Sequence, residues 1–228
     1  MFDFLSNPDY DLLGAFWTTI QLTFWAAIGS LIWGTLLVAM RVSPVPLMRA
    51  FGTAYVNVFR NTPLTVIIVF TSLGLSSTLG LKLAAANSAT SLADNSFRLA
   101  VIGFIAYTAT FVCESLRSGI NTVPVGQAEA ARALGLGFGQ VLRLIVLPQA
   151  FRAVIAPLAN VLIALLKNTT VAAVIGVAEA ALLMSSMIEN ESDSLFLVFL
   201  IFALGFVILV LPLGLFLGWV AKKAEVKR

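Results

Sequence analysis

Histidine is absent from this 228-residue sequence, and cysteine occurs once, at Cys113. The chain therefore offers no histidine-ligated metal site and no disulfide within itself. Charged residues make up 11% of the sequence, against about 25% in soluble domains. Hydrophobic residues make up 60% and the mean hydropathy is +1.00. This composition predicts a single membrane domain over residues 1–228, with no soluble catalytic domain.

Motifs for nucleotide and nucleic acid binding are also missing. No G-x-x-x-x-G-K-[ST] loop occurs, and Gly135, Gly137 and Gly139 are not followed by a Lys-Ser pair that could hold phosphates. The net charge of +3 is small, and no basic cluster is interleaved with aromatic residues. We therefore expect the chain to bind no cofactor, no metal and no nucleic acid. Without histidine or paired catalytic carboxylates, a membrane enzyme is also disfavoured.

Long apolar runs dominate the sequence. A helix needs about 20 apolar residues to cross a bilayer. Five runs approach or exceed this length, over residues 12–40, 62–81, 99–116, 153–166 and 195–220. They predict an all-α membrane protein with five transmembrane helices. Residues 171–188 are apolar as well, but Glu179 interrupts them.

Basic residues indicate the orientation of these helices, because cytoplasmic connections are enriched in lysine and arginine. With five crossings, every basic connection lies inside and the acidic tail and loop lie outside. A sixth crossing over residues 171–188 would separate the basic loop of residues 121–143 from the basic C-terminus. We therefore predict an external N-terminus, a cytoplasmic C-terminus and a short helix at 171–188, dipping into or lying along the outer half of the membrane. The basic residues are Arg41, Arg49, Arg117, Arg132, Arg143, Lys222, Lys223, Lys227 and Arg228; the acidic ones are Asp3, Asp9, Asp11, Glu189, Glu191 and Asp193.

A polar island lies between the apolar runs, from Pro124 to Pro148. Proline suits the first position of a helix, and residues 127–134 are good helix formers. Gly135 suits the left-handed residue that ends a helix. The pattern predicts a helix of about three turns followed by a hinge over residues 136–139.

This predicted helix carries small side chains, the alanines at positions 130, 131 and 133, so another protein could approach its backbone closely. Glu129 and Arg132 lie one turn apart and can pair with each other or with a partner. The residues alone leave open a second interpretation, in which the segment is a solvated connector.

Several motifs resemble those of one family. Glu129-Ala130-Ala131 followed by Gly135 resembles the E-A-A-x-x-x-G signature of permease subunits of ABC importers. The resemblance extends to F-R-N-T-P-L at 59–64, Y-T-A-T-F-V-C-E-S-L-R-S-G-I at 107–120, L-P-Q-A-F-R at 147–152 and K-N-T-T at 167–170. Together these stretches are similar to the polar amino acid branch, most closely to actinobacterial glutamate permeases.

The resemblance implies the five-helix type I ABC importer permease fold in a bacterial plasma membrane, importing a polar amino acid, with L-glutamate expected. It implies that residues 121–143, the coupling loop, dock on a dimer of separate ATPase subunits that bind ATP and magnesium. A second permease subunit and an extracytoplasmic amino acid binding protein are the other implied partners. The implied ATPase-coupling residues are Gly126, Gln127, Glu129, Ala130, Ala131, Arg132 and Gly135.

Charged residues at membrane depth are costly and therefore candidates for function. Glu114 and Arg117 lie on one helical face, which favours a structural ion pair. Lys167 follows about 14 residues of predicted helix, which places it about 20 Å from the inner face. Transporters place substrate contacts at such interruptions. The candidate substrate pathway comprises Arg60, Asn61, Thr62, Lys167, Asn168, Thr169 and Thr170, although Arg60 alone could simply extend to the interface.

At two positions of this pathway the sequence differs from the family that it resembles. Asn61 stands where relatives often have glycine, and Asn168 stands where they often have aspartate. The second leaves Lys167 without a neighbouring carboxylate, which favours an anionic substrate. The alternative function is an autonomous secondary transporter or channel for amino acids, for which Glu114 and Glu179 are the candidate ion-binding carboxylates. A purely structural scaffold would not need Lys167 and Asn168 at depth.

Overall fold

The computed structural model describes Asn7 and residues 10–85 and 90–224, and within these ranges all regular structure is helical. The helices are α1 Leu12–Val42, α2 Pro46–Asn61, α3 Leu64–Val69, α4 Ser91–Asn121, α5 Val125–Ala133, α6 Phe138–Val141, α7 Leu147–Asn168, α8 Ala180–Asn190 and α9 Leu195–Ala224. Wider π-helical turns extend α3 through Phe70–Thr78 and precede α7 at Leu142–Val146. Tighter 3₁₀ turns extend α7 through Thr169–Ile175 and form Ser192–Ser194.

Four helical segments of the described chain are long and apolar enough to cross a membrane: Leu12–Val42, Ser91–Asn121, Pro148–Ile175 and Leu195–Lys223. A fifth crossing is possible where Pro46–Asn61 and Leu64–Thr78 form a pair bent by 106°. The five predicted apolar runs correspond to these five units. α9 is the most apolar of them, and only 11% of its most apolar stretch is buried in the chain.

The bend between α2 and α3 follows from Pro63. A residue before proline is driven towards extended backbone, and Thr62 has φ −92° and ψ 133°. Asn61 and Thr62 close the end of α2 with their side chains, which donate to the carbonyls of Asn57 and Val58 at 2.8 Å each. We expected a connection before residue 62, and this was wrong, because α2 is a 16-residue helix of which only Gly52 and Val56 are buried.

Contacts along the helices set their directions. Gly29 and Gly34 of α1 lie against Ile105 and Val112 of α4, so α1 and α4 run parallel. Gly119 near the end of α4 contacts Val154 near the start of α7, so α7 runs antiparallel to them. The main core joins α1, α3, α4, α7 and the 3₁₀ turns through Leu22, Ala26, Ile68, Ala100, Phe104, Leu165, Ala172 and Val177.

Some predicted boundaries were too narrow. The predicted run 99–116 lies within α4, which spans 91–121. The predicted run 153–166 is part of α7, which spans 147–168. The stretch 171–188 is not one helix, because the 3₁₀ turns end at Gly176, where φ is 74°, and α8 starts at Ala180. Residues 3, 9, 227 and 228 of the charge pattern lie outside the described residues.

Candidate functional site: a loop helix and a polar cavity

Helix α5 occupies the polar island. Pro124, expected as the first helical residue, is the preceding cap with ψ 130°, and its carbonyl accepts the first helical hydrogen bond from Gln127 N at 3.0 Å. Gly135 has φ 87°, in the left-handed region where glycine is favoured. Leu136 N donates to Ala131 O at 3.2 Å and Gly135 N to Arg132 O at 2.9 Å. These two bonds form the predicted glycine C-cap.

The hinge expected after this cap is shorter than predicted. Helical structure resumes at Phe138, so Gly139 lies within α6 rather than in a flexible connection. The coupling loop is therefore a pair of helices with a four-residue link, 134–137, between them.

The exposed surface of α5 consists of small residues, two charged side chains and one large apolar side chain near each end. Glu129, Ala130 and Ala133 are exposed, whereas Ala131 is buried against the chain itself. Ala131 therefore packs inward and is not part of the exposed alanine surface that the sequence predicted. Val125 and Leu134, which the sequence did not single out, are 71% and 84% exposed. Large apolar side chains exposed outside the spanning helices are typical of a protein interaction surface.

Glu129 and Arg132 do not pair with each other. Both side chains are exposed, and in the described part of the chain neither has an ion-pair partner. Gly126 and Gln127 are exposed on the first turn of the same helix. The charges of α5 are thus available to a partner.

A side-chain contact connects α5 to the spanning helices. Gln149 at the start of α7 donates through Nε2 to Gln127 Oε1 at 2.7 Å and to Ile145 O at 2.9 Å. From Gln149 the chain stays helical as far as Ile175. Helix α5 is thus in direct contact with the start of this long helical segment.

The first predicted polar stretch lies at the bend between α2 and α3. Arg60 and Asn61 are exposed, and Thr62 is half-buried. The side chains of Asn61 and Thr62 are already used to close α2, whereas Arg60 has no partner among the described residues.

The second polar stretch lies where α7 tightens into 3₁₀ turns. The polar interruption does not unwind the helix, because α7 continues directly into these turns. Lys167 is exposed, and Asn168 and Thr170 are partly exposed. Thr169 is fully buried and its hydroxyl donates to Leu166 O at 2.6 Å, so it faces the core rather than a pathway. Thr170 donates to Lys167 O at 2.9 Å. Lys167 lies about 22 Å along α7 from Arg152.

A cavity of about 300 Å³ opens between α4 and α7 beside this stretch. Asn160, Ala164 and Asn168 line it from one face of α7, at the spacing of successive helical turns. Its other lining residues are Tyr107, Thr108, Phe111, Val161 and Leu165. Ligand sites combine apolar walls with a few placed polar groups, and this cavity has that character.

Sequence reasoning found only Asn168 of this set. Tyr107, Thr108 and Asn160 were missed, although Asn160 lies two turns before Asn168 and could have been found from that spacing. The two polar stretches lie in one region, because α3 packs against the 3₁₀ turns that follow Asn168. Leu64 and Val171 both pack on the same core cluster.

Glu114 lies in an ion network with two arginines. Arg41 of α1 donates to its Oε1, a contact between helices that the sequence did not suggest. Arg117, the predicted partner, lies 3.8 Å from Oε2. Arg41 also lies 3.9 Å from Cys113 Sγ, and only 9% of its side chain is exposed, against 44% for Arg117. The network therefore joins α1 and α4 chiefly through Arg41.

Replacing Arg41 with alanine is expected to destabilise the protein by about 2 kcal/mol, because it leaves a partly buried carboxylate without its main partner. Arg117→Ala is the matched control on the same carboxylate and should cost less than about 0.5 kcal/mol, since that pair is solvated. Thermal unfolding in detergent, followed by intrinsic fluorescence, would compare them. Equal losses would contradict the dominant role of Arg41.

Glu179, the other carboxylate considered for ion binding, has a structural role. It is fully buried, and its two oxygens accept from Ala181 N at 2.9 Å and Leu182 N at 3.0 Å. It is therefore the N-cap of α8. Thr19 of α1 accepts from Ala180 N at 3.2 Å beside it, which fixes α8 against α1.

The known proteins with similar sequences are transport proteins. The family model described as "Binding-protein-dependent transport system inner membrane component" matches residues 31–226. The chain is 64% identical over 217 residues to the glutamate transport system permease protein GluC of Corynebacterium efficiens, with 95% of each chain covered. It is 62% identical to the protein of the same name from Corynebacterium glutamicum, with the same coverage. It is 34% identical to the glutamate/aspartate import permease protein GltK of Escherichia coli O157:H7, with 89% of this chain and 88% of that protein covered.

Two solved ABC transporter structures contain a chain with a similar fold. The crystal structure of an amino acid ABC transporter with histidines contains a chain that superposes with a TM-score of 0.81 at 25% identity, with 93% of both chains covered. Inward-facing structures of the MetNI methionine ABC transporter match with a TM-score of 0.69 at 19% identity, over 94% of this chain and 96% of that one.

Proposed function

We propose a substrate and a mechanism from the premise that this chain belongs to the family of binding-protein-dependent transport system inner membrane components. It is a multi-pass membrane protein and a permease subunit of an ABC importer, not the ATPase. The predicted all-α type I permease fold is confirmed by its structural neighbours. The substrate that we propose is L-glutamate, imported at the expense of ATP hydrolysed elsewhere in the complex.

The observation that carries the substrate is the 64% identity to a glutamate permease over nearly the whole chain. The cavity between α4 and α7 is consistent with it. Asn168 lines this cavity, and its neighbour in sequence, Lys167, is exposed without a partner in the described part of the chain. The residue next to Lys167 is thus a neutral amide rather than an acid. A cation without a local carboxylate favours an anionic amino acid.

The mechanism rests on α5 and on its contact with α7. Two ATPase subunits, holding ATP and magnesium, would bind the face of Glu129, Ala130 and Leu134 and draw α5 with them when they close. Gln127 and Gln149 would pass this displacement to α7, whose far end lines the cavity. Alternate opening of the cavity to the two sides of the membrane would follow from that displacement.

The remaining partners follow from the same proposal. A second permease subunit, identical or related, would complete the pathway, since the cavity at α4 and α7 is small, about 300 Å³, and does not form a pathway by itself. An extracytoplasmic binding protein would deliver glutamate to the opposite end from α5. The N-terminus would then lie outside and the C-terminus in the cytoplasm, together with the coupling loop.

A single cysteine tests the partner and the orientation together. Ala130→Cys places an exposed thiol on α5, while the native Cys113 is fully buried. In native membranes a short bifunctional reagent should join this thiol to an ATPase identified by mass spectrometry. The matched control is Leu13→Cys. Leu13 is 85% exposed and lies at the start of α1, on the opposite side of the molecule from α5. The thiol at position 13 should react with an impermeant maleimide in intact cells, whereas the thiol at position 130 should not.

Two results would contradict the proposal. Crosslinks from position 130 that never capture a nucleotide hydrolase would remove the coupling role of α5. Labelling of position 130 from outside intact cells would reverse the orientation. Uptake of labelled glutamate by the reconstituted chain without any ATPase would favour the secondary transporter instead. The structure lends that alternative little support, because Glu114 and Glu179 are engaged by arginines and by backbone N–H groups.

A further inference from the structure

An apolar groove opens at the end of the molecule that carries the coupling loop. It has a volume of about 590 Å³ and runs between the second half of α1, the last turns of α4 and the first turns of α7. Gly119 allows α4 and α7 to meet at its base, since a Cβ there would lie 2.1 Å from Val154 Cγ1 and 2.9 Å from Ala150 O. The apolar lining residues are Val38, Leu116, Ile120, Phe151 and Val154.

The rim of this groove carries one cation, Arg152. Its side chain is exposed, and among the described residues no carboxylate or carbonyl engages it. It is the fifth residue of the candidate span that begins at Pro148, so it lies about 6 Å along the helix from the start of that span. An arginine at this depth places its stem along apolar surface and its guanidinium among lipid headgroups.

We propose that this groove binds an anionic phospholipid, with an acyl chain between α1, α4 and α7 and the headgroup phosphate on Arg152. Guanidinium groups bind phosphate oxygens in pairs, and basic pockets between spanning helices on the cytoplasmic side bind anionic headgroups. The apolar lining matches the acyl chain, and the unpaired guanidinium matches the phosphate.

Charge favours a lipid over a second copy of this chain as the occupant. A protein surface covering the groove would have to neutralise Arg152. In the described part of the chain the carboxylates at this end of the molecule are Glu114, which is held by Arg41, and Glu129 on α5. A second copy therefore has little negative charge to offer, whereas a phosphate carries its own.

The position of the groove gives the lipid a role in coupling. Ile120, next to the last residue of α4, and Pro148, at the start of α7, both line it. These two residues flank the coupling loop on either side. A lipid in the groove would hold the end of α4 against the start of α7, and these are the two helix ends that the loop connects.

Native mass spectrometry of the complete transporter, purified with its partner subunits and exposed to equal amounts of phosphatidylglycerol and phosphatidylcholine, tests the proposal. The unmodified complex should retain phosphatidylglycerol in preference. Arg152→Gln should lower that preference about fivefold. Arg49→Gln, which removes another exposed arginine, in α2, that does not line the groove, should leave it unchanged.

A second variant examines the acyl chain rather than the headgroup. Thr35 is exposed and lines the groove, so Thr35→Trp should fill it and reduce retention of both lipids while keeping Arg152. Equal retention of the two lipids by the unmodified complex, or equal losses in Arg152→Gln and Arg49→Gln, would overturn the proposal. Crosslinking of Thr35→Cys to another permease subunit in native membranes would also overturn it, because protein would then cover the groove.

Discussion

Glu129→Lys is expected to lower ATP-driven glutamate uptake at least about tenfold while the protein remains folded and inserted. Glu129 is exposed on α5 and has no partner within the described chain, so reversing its charge should not disturb the fold. At a docking surface the same reversal replaces an attraction with a repulsion, and a change of 1.4 kcal/mol is already tenfold. Uptake by proteoliposomes that contain the complete transporter would measure it.

Gly135→Leu tests the same surface through its backbone. Because φ is 87° at Gly135, leucine there is strained and the C-cap of α5 should open. Gly137→Leu is the matched control, since φ at Gly137 is not positive and its nearest neighbour to an added Cβ, Gln140 Oε1, lies 3.8 Å away. We expect strongly reduced uptake for the first and near-normal uptake for the second. Normal uptake in both Glu129→Lys and Gly135→Leu would rule out α5 as the coupling element.

Lys167→Ala is expected to raise the apparent KM for glutamate about tenfold, because a hydrogen bond to a charged group contributes about 1.5–3 kcal/mol. ATPase association should not change, since Lys167 lies far along α7 from the coupling loop. Lys82→Ala, which removes another exposed lysine, outside the two predicted polar stretches, is the control. An unchanged KM in Lys167→Ala, measured in proteoliposomes, would remove this lysine from the substrate site.

Asn168→Asp extends this prediction to the neighbouring position. The substitution would place a carboxylate at the cavity wall, next to Lys167 in sequence, and this carboxylate would compete with the substrate for the charge of Lys167. We therefore expect weaker glutamate transport in Asn168→Asp and little further loss in the Lys167→Ala/Asn168→Asp double variant. Additive losses would indicate that Asn168 acts independently of Lys167.

The parts of the fold with local signals could be predicted from the sequence. Long apolar runs identified the spanning helices, and the alanine-rich stretch before Gly135 identified α5 and its left-handed cap. The family followed from short motifs spread over the whole chain and is confirmed by the comparison with known proteins.

Helix α2 was not predicted because a search for long apolar runs detects only uniformly apolar helices. It is amphipathic rather than uniformly apolar, with most of its residues exposed, so a search for long apolar runs passes over it. The apolar pattern also gives no sign of the bend, which arises where Pro63 drives Thr62 to extended backbone and which turns the pair by 106°.

Contacts between distant residues could not be predicted. Arg41 and Glu114 are 73 positions apart, and only the parallel packing of α1 and α4 brings them together. Tyr107 and Asn160 share a cavity because α4 and α7 are antiparallel neighbours. Ala131 and Thr169 were assigned to functional surfaces from their neighbours in sequence, and the direction of each side chain depends on helix rotation that one sequence does not fix.

Because little of α9 is buried by the protein, most of its surface is left for lipid, and the thickness of the bilayer can affect its position. The uncharged part of α9, residues 195–221, is about 40 Å long, whereas the hydrocarbon layer is about 30 Å thick. Hydrophobic mismatch of this size is relieved by tilting, and the tilt depends on the acyl length of the surrounding lipids. Since α9 packs against α7, the membrane itself would help to set the angle of the helix that carries Lys167.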